Sequence, residues 1–166
     1  MATQHTIQAK EFAKEALPQD APAEAYGLLA LWQQYAGQGE GGLPTRDDFT
    51  PETLAPWIED ISIYEYQADK DDFQILLEGE NIIALTGEDW RGAYAREIDF
   101  HYSTSLHASM SLARTTAQPQ IHMLQIFQKD WRNGVRLLLP ITRKHIGEED
   151  RLQIFLAIFP MRDLMS

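Results

Sequence analysis

Apolar residues change their spacing along the chain, and each change marks a new kind of element. Leu28, Leu31, Trp32 and Tyr35 fall at i, i+3, i+4 and i+7, one stripe along a helix. Asp20 and Pro22 supply a start signal and Gly37 a stop, so the pattern predicts a helix over 21–36. Residues 1–20 carry only weak helical patterning around Ile7 and Phe12 and are expected to form a tail, loose or helical. GQGEGGLPTRDDFTPETLAPW, rich in glycine and proline, reads as a connector holding one short helix, with Thr50 as cap and Pro51 in its first turn.

The period then shortens to two. ISIYEYQ (61–67) and DFQILLE (72–78) read as strands of a hairpin turned by ADKD. Residues 81–101 predict short helical pieces interrupted by Gly87 and Gly92. A longer helix is expected over 101–118, with Leu106, Met110, Ala113 and Ala117 on one side and Pro119 at its end. QIHMLQIFQ (120–128) and GVRLLLPIT (134–142) follow as strands joined through WRNG, where Asn133-Gly134 is a tight-turn signal. The last strand is RLQIFLAIF (151–159).

Val135, Leu137, Leu139 and Ile141 share one face of their strand, and Leu152, Ile154, Leu156 and Ile158 share one face of theirs. The opposite faces carry Leu138, Phe155, Ala157 and Phe159, so this sheet needs a cover on each side. The helical middle is the expected inner cover. Leu28, Leu31, Trp32 and Tyr35 are expected to close the outer face around Leu138, Phe155 and Phe159, in the same subunit or across a homodimer. The fold class is α+β: a tail over 1–20, then one domain over 21–166.

Composition narrows the function. The 166 residues contain no cysteine, which excludes disulfides, thiolate metal sites and sulfur-linked chromophores, and fits a cytoplasmic setting. The start of the chain has no signal-peptide core, and no run is long and apolar enough to span a bilayer. The net charge is −11, and residues 40–89 hold fourteen acids against Arg46 and Lys70. Such a half repels a phosphate backbone, so no nucleic-acid partner is expected. It reads as a solvated face, or as a docking surface for a basic partner.

Candidate chemistry is sparse. LEGENIIALTGEDWRG (77–92) has three glycines, yet no Gly-Lys-Ser/Thr follows, and Glu88 and Asp89 place negative charge where a phosphate would sit. It is expected to turn corners. Asp69, Asp71 and Asp72 lack the glycine of a calcium loop, and no histidine pair has zinc-helix spacing. No catalytic constellation stands out, and no metal site is expected.

The element order, with four stretches, resembles the PAS fold and a bacterial family of small stand-alone PAS proteins. The stretches are LPTRDDFTPETLAPWI (43–58), ISIYEYQADKDDFQILLEGENI (61–82), LTGEDWRG with Gly87, Asp89 and Gly92, and LLLPIT (137–142). Glu80 departs from the small hydroxyl residue usual after that first hairpin. The resemblance implies a five-stranded antiparallel sheet, helices on one face across a small cavity, and an N-terminal helix on the other. It implies a sensory or regulatory module, not an enzyme, that binds a small molecule, a signalling protein or both, with no output domain of its own. Trp90, Tyr102, His107, Met110 and His122 are the expected lining residues. Haem stays open through His101, His107 or His122, while a flavin adduct has no cysteine to form on. A small α+β enzyme using the same cavity, and a dimerisation scaffold with a filled core, are the alternatives.

Overall fold

The computed structural model describes residues 8–37, 42–127, 131–144 and 147–161. Its elements are β1 (Gln8–Lys14), α1 (Ala23–Tyr35), α2 (Pro51–Leu54), β2 (Ile61–Gln67), β3 (Asp72–Leu77), α3 (Glu80–Thr86), α4 (Ala95–Tyr102), α5 (Leu106–Thr116), β4 (Gln120–Phe127), β5 (Trp131–Arg143) and β6 (Arg151–Pro160). All strand pairs are antiparallel, and the sheet runs β1-β4-β5-β6-β2-β3. The chain is therefore α+β, with six strands where five were expected.

The sixth strand comes from the expected tail. Gln8 through Lys14 pair with Phe127 through Ile121, covering what would otherwise be the free edge of β4. Alternating apolar positions did not announce it, because the residues it turns toward the helices are Ala9, Glu11 and Ala13.

Two other elements differ from expectation. The helix predicted over 101–118 is split: α4 ends at Tyr102, Ser103 takes a left-handed φ of 58°, and α5 starts at Leu106. The Asp99 carboxylate causes the break by accepting from Thr104 Oγ1 (2.6 Å), Leu106 N (2.6 Å) and His107 N (2.9 Å). Short polar side chains that bond nearby backbone compete with helix continuation. Asn133-Gly134 is no turn either. Asn133 pairs with Gln125 and Gly134 with Leu124 inside the β4–β5 ladder, so neither residue forms the connection; residues 128–130 lie outside the described residues. The added cross-strand pairs outweigh the local turn preference.

Register separates two cores. On the outer face Leu28 and Trp32 of α1 pack with Val135, Leu137, Leu139, Ile141, Phe155, Ala157 and Phe159, and Leu31 and Tyr35 join at the margin. The 21–36 helix thus covers this face within its own chain. Leu138 does not belong there. It pairs with Leu156 and packs with Ile154, Met110 and Ala113 under α5, whereas Leu139 is the partner of Phe155.

Pro140 shows how α1 is anchored. β4 begins at Gln120, opposite Leu138, so β5 beyond that point has lost its neighbour on one side. A proline is tolerated there because no ladder N–H is missed. Its carbonyl accepts from Trp32 Nε1 at 2.7 Å, and two residues on, Thr142 N donates to Pro44 O at 2.9 Å.

Candidate functional site

On the inner face the sheet and helices do not close completely. A cavity of about 100 Å³ lies over Tyr64, Arg136 and Leu156, beneath Ile82, Trp90 and Tyr102, with Ala9 of β1 in its wall. Most of the lining is apolar, as binding pockets usually are. The polar groups come from four elements, and each is held by a specific local arrangement.

The glycine-rich stretch makes one wall. Gly79 follows β3 where the backbone of the chain before β2 passes so close that a Cβ would lie 2.8 Å from Glu59 O and 2.9 Å from Ile61 O. Only glycine fits. Next to it Glu78 is buried, with Oε1 accepting from Ser62 Oγ at 2.6 Å and Oε2 from Trp90 N at 3.2 Å. Ser62 Oγ in turn accepts from Gly79 N at 3.0 Å. Burial raises the Glu78 carboxyl above the usual carboxylate range, and these hydrogen bonds oppose the rise. Gly87 then ends α3 in the left-handed conformation at φ 78°. The stretch is a fastened corner that presents Trp90, whose Nε1 donates to Tyr102 OH at 3.0 Å.

A second polar group sits between β1, β4 and β5. Arg136 is 4% exposed, with Nη1 2.7 Å from Glu11 Oε1. The two opposite charges are in direct contact, so the pair is an ion pair. Glu11 Oε2 accepts from Ser105 N at 2.7 Å, tying β1 to the α4–α5 break. Among the described residues Arg136 Nε and Nη2 are buried with no partner. His122 lies across from Arg136 in the ladder, its Nε2 3.2 Å from Ser109 Oγ and its Nδ1 without a partner among the described residues. Burial first, then the Arg136 charge, lowers its pKa to about 4 against a smaller opposing effect of Glu11. It is a neutral imidazole at ordinary pH. Tyr64 is buried too, and burial followed by Glu78 raises its hydroxyl far out of reach of titration.

Of the expected lining residues, Trp90 and Tyr102 meet at the cavity. His107 instead turns outward, its Nε2 2.7 Å from Asp71 O and its ring against Phe73. Met110 is wholly enclosed in the inner core, and His122 belongs to the Arg136 cluster beside the cavity. His101 lies tilted against Trp90 and edge-on to Tyr102. Neither His101, His107 nor His122 lines the cavity, and among the described residues no group of three or more metal-ligating side chains converges. Sequence reasoning missed Tyr64, Glu78, Arg136 and Glu11. Arg136 did carry a signal, as a charge on the strand face that Leu138 makes apolar. Among the described residues no helix is long and apolar enough to cross a membrane.

No protein-family model matches the chain, and neither does any curated protein or solved structure.

Proposed function

We propose that this chain is a PAS-like sensory or regulatory module that binds a small molecule in the inner cavity and signals through protein contacts. The strand order β4-β5-β6-β2-β3 with α3–α5 across one face supports the PAS-like reading. One observation carries the ligand: a largely apolar cavity is bordered by a buried arginine with two unpartnered donors. Buried polar groups almost always have partners, and one that lacks them beside a void calls for an occupant. Glu78, the other charged residue of the cavity lining, has both oxygens engaged in holding the corner, which suits a wall of a binding site better than a catalytic acid.

Native mass spectrometry of the gently purified full chain tests this. A retained small molecule at one per chain, released by denaturation, is the expected result. A bare polypeptide mass, together with a melting temperature that no compound in a fragment panel raises, would leave the filled-core scaffold as the better reading.

A further inference from the structure

Resting on the ligand-site reading of the cavity, we infer that Arg136 anchors the carboxylate of a compact, otherwise apolar acid. Nε and Nη2 share one edge of the planar guanidinium and present two parallel N–H donors. Both are without a partner, while Glu11 occupies the Nη1 side. A carboxylate matches that edge with two oxygens at once, which a neutral hydroxyl does not. Tyr64, whose hydroxyl stays protonated, stands in the same wall. Glu11 and Glu78 near the site disfavour a dianion such as phosphate, so the charge that fits is a single one.

The rest of the cavity sets the body of the ligand. Ile82, Ile98, Leu124 and Leu156 offer no polar group. An apolar cavity of roughly 150 Å³ holds benzene, so the smaller volume here, about 100 Å³, takes a short aliphatic chain directly and one ring only by displacing wall packing. The two nitrogens are shielded from solvent, so the acid reaches them by displacing neighbouring packing. β1 is the wall that can yield: it is an edge strand, Ala9 lines the cavity, and Glu11 contacts the guanidinium.

The test uses the full chain carrying ¹⁵N-arginine, with benzoate and butyrate as probes and benzyl alcohol and butanol as neutral counterparts. Benzoate or butyrate is expected to shift the Arg136 Nε–H resonance and to bind at least tenfold tighter than its alcohol. Arg136→Lys keeps the charge facing Glu11 and loses the fork; it should weaken the acid at least tenfold and leave the alcohol unchanged. Equal binding of acid and alcohol, or an Nε–H signal unmoved at saturating acid, overturns the Arg136 assignment while the ligand site stands. If no probe binds and the native mass is bare, the ligand-site reading fails with it. Should Arg136→Lys not fold, the wild-type resonance alone decides.

Discussion

The two faces of this sheet are built to different rules. Under α1 the core is apolar and its anchoring polar contact is the Trp32 indole on Pro140 O, while buried Glu65 and Gln153 bond each other at the edge of this face. Under α3–α5 the same sheet buries Arg136, His122, Glu78 and Tyr64 and leaves a cavity among them. A close-packed face gains stability from every side chain. A face with a buried arginine beside a void gives some of that up, as the proposed binding site would require. On that proposal the outer layer holds the fold, and the inner layer binds.

The largest test of that contrast is truncation. Trp32 is 3% exposed, and Trp32→Ala removes its ring and also strands the Pro140 carbonyl. The expected loss is about 3–5 kcal/mol in denaturant unfolding. Ile98 lines the cavity from α4, so part of its surface already faces empty space. Ile98→Ala should cost about 2 kcal/mol, the bottom of the range for such a change. Equal losses at the two sites would erase the distinction between the layers.

Acid separates the layers next. His122 is packed against Arg136 and Glu11 from β5 and β1 and against Ser109 of α5, and its folded pKa is about 4. The unfolded chain binds the proton near pH 6.5. Between those values the unfolded state holds more protons, so stability falls as pH falls from about 6.5 to about 4. The His122 share is up to about 3 kcal/mol, from the shift in its pKa. His122→Gln should flatten that limb of the stability curve, whereas Trp32→Phe in the outer layer should keep it whole. An unflattened limb in His122→Gln would mean the imidazole is solvated.

Much of the outer layer was legible in the sequence, and little of the inner site was. The α1 stripe, the ADKD hairpin and the Thr50 cap are local patterns, and Thr50 Oγ1 does accept from Thr53 N. Strand parity grouped Val135 with Leu137, Leu139 and Ile141 correctly, but parity within one strand does not say which face of the next strand it meets. Register does, and it moved Leu138 away from Phe155 and Phe159. The inner site draws on β1, β2, β5 and the corner after β3, so its members are distant in sequence. Glu11 had no pattern around it at all. Gly79 was legible as a corner, but the backbone that crowds it lies eighteen to twenty residues back, at Glu59 and Ile61.

Overpacking gives the smallest effect and the finest discrimination. Leu137 on the outer face has no exposed surface and faces α1 across a filled core. Leu137→Phe forces extra atoms into that packing and should cost about 1–3 kcal/mol. Leu156 is as well buried, at 4% exposure, but its side chain borders the cavity. There the added ring atoms can enter the void, and Leu156→Phe should cost less than about 1 kcal/mol. The same substitution should weaken benzoate binding, because it takes up the space the ring would fill. Denaturation midpoints and a benzoate titration on both variants measure the two effects. A Leu156→Phe protein as destabilised as Leu137→Phe would mean that the cavity wall cannot accommodate added volume, and the inner layer would then be as tightly packed as the outer.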